Sequence, residues 1–204
     1  MRRMLVVALL LVISLSGCVS VPTSFIVEID SIATPDSGKK TYVILPAKKD
    51  MVGGELVFQE YARYLKQVLS AHGYREASDP EQAEIAVMLA YGIAAGSMGS
   101  GTRLHRDAEG NVTGASTKNI TGYARLIIIR AYDYKKYKES KTEVQLWQTT
   151  IESNGSSGDL RRVFPVLIAA SQPYIGTNTG KKVMVTLSED DSRVIAIKAA
   201  NISQ

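Results

Sequence analysis

The 204-residue chain holds one cysteine, Cys18, and two histidines, His72 and His105. A single thiol excludes a disulfide within the chain and any thiolate metal cluster. Neither histidine has a second histidine or cysteine at ligand spacing, so no metal site is expected. Long apolar runs are missing too. The run from Leu5 to Ile13 is broken at Ser14, well short of the roughly 20 apolar residues a membrane-spanning helix needs. No Gly-Lys-Ser/Thr phosphate loop occurs, and Gly99-Ser100-Gly101 lacks the later glycine of a dinucleotide loop, which leaves nucleotide binding without support and predicts no cofactor. Gly96-Ser97-Met98-Gly99 and Gly155-Ser156-Ser157-Gly158 do not fit the Gly-x-Ser-x-Gly nucleophile elbow.

What is present begins with the first residues. Met1-Arg2-Arg3-Met4 is a charged start, the aliphatic run follows, and Leu15-Ser16-Gly17-Cys18 closes it with small residues, the order of a secretory leader. Leu15-Ser16-Gly17-Cys18 resembles the lipobox of bacterial lipoproteins. The resemblance implies peptidase recognition at Leu15, Ser16 and Gly17, cleavage before Cys18, and a lipidated sulfur on Cys18. Residues 1–17 are therefore expected to be a signal peptide, residues 18–23 a lipidated tether, and residues 24–204 one domain. Removing Arg2 and Arg3 leaves 22 basic against 20 acidic side chains, so much of the formal charge of +4 belongs to the leader. Several acyl chains on one residue anchor a protein stably. Val19, where an aspartate would favour retention at the inner membrane, implies an outer-membrane lipoprotein facing the periplasm.

The rest alternates strands and helices. Phe25 to Asp30 and Thr41 to Leu45 read as strands, with turn chemistry from Pro35 to Gly38 between them. From Glu55 to His72, Phe58, Tyr61, Ala62, Leu65, Val68 and Leu69 recur at helical steps, and Gly73 suits the left-handed residue after the helix, with Tyr74 folding back. Asp79-Pro80-Glu81 caps a short turn. Ile85 to Tyr91, apolar on both faces, reads as a central strand. Tyr123 to Tyr134 and Val144 to Ile151 read as two more, joined by a basic turn from Lys135 to Lys141. Asp159 is placed to cap a second helix carrying Leu160, Val163, Phe164, Leu167 and Ile168, with Pro165 inside it. Val183 to Leu187 and Val194 to Ile197, separated by Glu189-Asp190-Asp191-Ser192, read as a closing β-hairpin.

Residues 92–122 are rich in glycine and hydroxyl groups and longer than an ordinary connection. They form either a hairpin extension turning at Glu109-Gly110-Asn111 or a loop. His72, at a helix C-terminus, reads as a cap, and His105 as a solvated residue. The acidic run Glu189-Asp190-Asp191 reads as a solvated turn. Lys135, Lys136, Lys138 and Lys141, interleaved with Tyr134 and Tyr137, read as a charged hairpin tip or a patch touching anionic lipid, not as a nucleic-acid surface.

Lys40 to Pro46 after a first strand, the helix end Leu69 to Tyr74, Asp79-Pro80 leading to Ala83-Glu84-Ile85-Ala86-Val87, and the pair Leu146-Trp147 together resemble the DUF4136 family of bacterial lipoproteins, whose function is not established. The likeness runs from about Phe25 to Ile175. It supports the fold class expected from the element order: an α+β two-layer sandwich with a mainly antiparallel sheet of about five to seven strands and two helices packed on one face. No catalytic set emerges. The expected role is a non-enzymatic accessory or binding module of the cell envelope, held to the membrane through Cys18, with an envelope protein partner of unstated identity. The alternatives are an envelope hydrolase acting through serine or carboxylate residues of the 92–122 region, marked by Ser97 or Ser100 packed with His105 and an acid, or an auxiliary lipoprotein of lipid transport marked by an apolar groove between sheet and helices.

Overall fold

A computed structural model describes residues 23–35, 37–38, 40–47 and 55–202; the leader, the lipobox residues Leu15, Ser16 and Gly17, and Cys18 lie outside the described residues. The fold is α+β. In chain order the elements are β1 (Ser24–Ala33), β2 (Thr41–Pro46), α1 (Leu56–Ala71), β3 (Arg75–Glu76), β4 (Ile85–Arg106), β5 (Val112–Asp133), α2 (Tyr134–Ser140), β6 (Gln145–Gly155), α3 (Leu160–Ser171), β7 (Val183–Ser188) and α4 (Ser192–Ile202). One seven-stranded sheet has the order β3-β2-β4-β5-β6-β1-β7. β2 runs parallel to both of its neighbours, so the sheet is mixed; the other pairs are antiparallel. The expected meander of three strands is β4, β5 and β6.

Period-two alternation decides which sheet face is buried. Val87, Leu89, Ile127, Ile129, Ala131, Trp147, Ile151, Val27 and Ile29 stand across from one another in register, and all are buried. Into the same core go Phe58, Leu65 and Leu69 from α1, Val163, Phe164 and Leu167 from α3, and Val194 and Ile197 from α4. The Tyr61 ring stacks on Phe164 with centroids 3.8 Å apart, and Tyr91 of β4 meets Tyr61 edge-on at 4.6 Å. Those rings pack between α1, α3 and the sheet. Residues of the opposite parity, including Ile26, Ile32, Leu126 and Met184, stay exposed.

The helix of greatest sequence clarity, α1, forms as its spacing predicts. Glu55 is the residue before its first turn and makes no side-chain cap. At the other end the Gly73 N–H donates to Ser70 O and the Tyr74 N–H to Leu69 O, while Gly73 adopts φ 82° and Tyr74 packs into the core. This is the Schellman closure, which needs a residue tolerant of the left-handed region. α3 starts at Asp159, whose carboxylate accepts from the Arg162 N–H at 3.1 Å. It carries Pro165 in its interior and is buried on every side from Val163 onward.

Two sequence readings change, and one left open is decided. Residues 192–202 do not return as a strand: they form α4, in which Val194 and Ile197, three apart, are buried while Ile195 is exposed. Asp191 nucleates it, accepting from the Arg193 N–H through its carboxylate and from the Ile195 N–H through its carbonyl. Alternation over four residues cannot separate a short strand from a helix stripe, and alanines at 196, 199 and 200 favour the helix. Residues 134–140 are not a bare turn but α2, capped by Asp133 on the Lys136 N–H and closed by Lys141 at φ 58°. The glycine-rich stretch is the hairpin, not a loop. β4 and β5 pair out to Arg106 and Val112, with register shifts between Ser97 and Gly99 and between His105 and Arg106, and turn through Asp107 to Asn111 with Gly110 at φ 87°.

Replacing Gly73 by alanine forces a β-carbon into the left-handed region and should lower stability by about 1 to 2 kcal/mol, read as a reduced urea midpoint with the slope unchanged. An unaltered midpoint contradicts the closure described for α1.

Candidate functional site

The corner where β2, β4 and β5 begin or end is built from local bonds. Glu84, just before β4, accepts from the Thr41 N–H at 2.8 Å and the Thr41 hydroxyl at 3.0 Å, which pins β2 beside β4. Those two donors, with Lys40 and Arg75 nearby, hold the Glu84 carboxyl below its ordinary pKa. The Tyr134 N–H donates to Glu84 O at 2.9 Å, so the chain leaving β5 folds directly over the start of β4. Lys138 of α2 donates to Glu81 O and sits over the Tyr134 ring at 4.6 Å, while Lys141 sits over Tyr137 at 5.3 Å. Four of the sequence's interleaved lysines and tyrosines, Lys138 with Tyr134 and Lys141 with Tyr137, thus pair around a short helix.

Under α2, on the sheet face opposite the core, lies a pocket of about 320 Å³ lined by Leu45, Ala47, Ala86, Met88, Arg130, Tyr132, Tyr134, Tyr137 and Glu143. Its floor is the outward parity of β4 and β5; its rim is α2. Arg130 reaches it with its Nε donating to Gln148 Oε1 at 2.7 Å, which fixes the guanidinium. Burial first, then Glu81 and Tyr137, raises the pKa of the Tyr134 phenol, so it stays a hydrogen-bond donor at neutral pH. Three phenols, one guanidinium, one carboxylate and an aliphatic floor make a site for a ligand with an apolar or ring-shaped face and a polar edge. Nothing in it supplies a nucleophile beside a base. A second, more open hollow of about 700 Å³ by Tyr42, Ser70 and Tyr74 is lined in part by the Lys66–Glu76 ion pair at 2.5 Å.

Sequence reasoning passed over this pocket because its residues come from five separate segments. The available signal was the parity of Arg130 and Tyr132, which alternate with buried Ile129 and Ala131, and the spacing of Tyr134 and Tyr137. His72 closes α1 and its Nε2 meets Gln172 O, joining the ends of two helices. His105 lies on the exposed hairpin, 3.0 Å from Ser116 Oγ across the strands. Ser100 pairs with Asn119 and lies five residues from His105 along β4, roughly 17 Å at strand rise, so that serine and His105 do not meet. In the acidic run, Glu189 pairs with Arg162 at 2.7 Å, Asp190 accepts from Ser188 Oγ, and Asp191 pairs with Arg193 at 3.0 Å. Among the described residues no group of three or more His, Cys, Asp or Glu could hold a metal, and no helix is long and apolar enough to cross a membrane.

Sequence reasoning also missed a buried arginine. Arg125 points into the core side of β5, 2% exposed, with Nε and Nη2 donating to Ser157 O at 3.2 and 2.6 Å and its guanidinium carbon 5.9 Å from the Phe25 ring centroid. Burial lowers its pKa. A β-carbon on Gly155 would stand 3.1 Å from Nη1, so glycine there leaves room for the guanidinium. Arg125 ties the loop between β6 and α3 to the sheet.

No family model matches the chain, and no curated protein does. Among solved structures, a PDZ domain protein from Parabacteroides distasonis is similar over 81% of this chain, at 12% identity and a TM-score of 0.45; the match spans only 39% of that protein. The PelC dodecamer from Paraburkholderia phytofirmans is similar over 70% of this chain and 91% of its own, at 14% identity and a TM-score of 0.33. Likenesses of this size carry no argument about what the chain does.

The Tyr42 and Tyr61 phenols sit above the ordinary tyrosine range. Burial is the larger cause in both, reinforced by Glu76 for Tyr42 and by Tyr91, Glu60 and Asp159 for Tyr61. Their neutral forms belong to the folded state. The unfolded chain therefore loses these protons first, and the stability they contribute is complete below the unfolded value near pH 10 and lost as pH rises above it. Urea midpoints should hold to about pH 9 and fall beyond about pH 10, with Tyr61→Phe flattening the fall. An equal fall in that variant contradicts the assignment.

Proposed function

We propose that this chain is a membrane-anchored lipoprotein of the bacterial cell envelope, in the outer membrane and facing the periplasm, that acts as a non-enzymatic accessory or binding module. The observation that carries the reading is the order of charged start, short aliphatic run and Leu15-Ser16-Gly17-Cys18, with Cys18 the only cysteine in the chain. Peptidase recognition falls on Leu15, Ser16 and Gly17, and the lipid on Cys18. The likeness to DUF4136 lipoproteins accords with it.

The domain is a two-layer sandwich in which α1 and α3 cover one sheet face and the other is left for contact. The tyrosine-lined pocket beneath α2 is the binding site on that free face, and Arg130 and Tyr132 are its specificity-bearing floor. Hydrolase chemistry has less in its favour, because His105 is engaged with Ser116 on an exposed ribbon, Glu189 and Asp191 pair with arginines, and Asp190 accepts from Ser188.

Cross-linking in intact cells tests both parts. Wild type should fractionate with membranes and capture a defined envelope component; Cys18→Ser should shift to the soluble fraction. Arg130→Ala combined with Tyr132→Ala should stay membrane-bound but lose the captured component. Turnover of ester or glycan substrates by the purified protein, with no component captured, contradicts the binding role.

A further inference from the structure

The sheet supports β4 and β5 only part of the way. β6 leaves β5 at the Tyr123–Gly155 pair, and β2 leaves β4 at the Pro46–Leu89 pair. Beyond Ala95 and Tyr123 the two strands run on alone as a ribbon, from Gly96 to Arg106 and back from Val112 to Gly122. At strand rise that is roughly 34 Å. Leu104 and Val112 on it are 52% and 53% exposed. A two-stranded ribbon with no third strand is marginal in water and gains from a surface to lie on.

Its two faces differ. In register, Thr102 stands opposite Thr117, Leu104 opposite Ala115, and Arg106 opposite Val112, giving one face with apolar and methyl-bearing side chains. Arg103 and His105 alternate onto the other, where His105 meets Ser116. Between residues 97 and 121 the chain carries Arg103, Arg106 and Lys118 against Asp107 and Glu109. Asp107 is committed to the turn, accepting from the Asn111 N–H at 2.7 Å.

Where the ribbon leaves the domain identifies what it meets. β1 is antiparallel to β6, and β6 to β5, so Ser24 lies at the Gly155 and Tyr123 end of the sheet. That is the end from which the ribbon emerges. From Cys18 to Ser24 there are six residues of chain, at most about 20 Å when extended, which is shorter than the ribbon.

We infer that the β4–β5 ribbon is a membrane-contacting arm that lies on the bilayer to which Cys18 is attached, with Leu104, Ala115 and Val112 toward the acyl boundary and the arginines among anionic head groups. This rests on the proposed lipidation of Cys18. With anchor and arm at one end of the sheet and the tether the shorter of the two, an arm directed toward the bilayer reaches it. Side chains with apolar ends and arginine stems are suited to that boundary.

The lipidated protein, placed in vesicles of phosphatidylethanolamine and phosphatidylglycerol, tests the inference. Leu104→Cys, Val112→Cys and, as a control on α2 at the far end of the sheet, Lys135→Cys each carry a nitroxide; the thioether on Cys18 keeps labelling specific. Labels at 104 and 112 should collide several-fold less with a water-soluble nickel chelate than the label at 135, and more with oxygen. If the mass shows lipid on Cys18 and the protein stays with the vesicles, yet all three labels are equally open to nickel, the arm does not touch the bilayer and the inference falls while the anchor stands. If Cys18 carries no lipid and the protein stays in solution, anchor and arm fall together.

Discussion

Everything in this molecule is arranged along the pairing of β4 with β5. Each strand is 22 residues long, far beyond the usual five or six, and the pair serves three purposes along its length. At the Ile85 and Asp133 end it floors the pocket beneath α2. In its middle it supplies Val87, Leu89, Ile127 and Ile129 to the core. At the far end it continues without neighbours. One alternation of side chains fixes all three, because a slip of a single residue would turn the core set to solvent and the pocket floor inward.

The core explains why the helices stay where they are. Tyr61 and Phe164, nearly parallel with centroids 3.8 Å apart, and Tyr91, edge-on to Tyr61, join α1, α3 and β4 at one point; the edge-on contact is the one the ring quadrupoles favour. Buried hydroxyls in this layer are paired locally: Ser31 Oγ lies 2.7 Å from Thr149 Oγ1, and Ser153 Oγ donates to Ile26 O at 2.8 Å, whereas Arg125 Nη1 and Trp147 Nε1 are buried without a hydrogen-bond partner among the described residues. Pairing of that kind is what makes buried hydroxyls tolerable. The pocket opens on the sheet face opposite this core, beneath α2.

Much of the fold was legible in the residues. The α1 stripe, its Gly73 closure, the Asp79 and Asp159 caps and the parity of the central strands are all local signals, strong because propensity and burial agree. The parallel placement of β2 was not legible, since it depends on where α1 returns the chain. Val194 to Ile197 misled because apolar residues two and three apart satisfy either period over so short a run. The pocket was invisible for a different reason. Leu45, Met88, Arg130, Tyr132 and Tyr137 are distant in sequence, and only the sheet order brings them together. The candidate groups that sequence did single out, His72, His105 and the acidic run, are each used for capping or surface pairing.

Orientation along β4 and β5 gives the molecule two ends, with the ribbon and Ser24 at one and the pocket at the other, and that polarity has meaning only if lipid is attached beside Ser24. The intact mass of the mature polypeptide extracted from membranes, with its N-terminal peptide sequenced, measures this directly. The expected species begins at Cys18 and carries the added mass of a diacylglyceryl group and an amide-linked acyl chain. A mature chain that begins at another residue, or a Cys18 of unmodified mass, contradicts the whole arrangement.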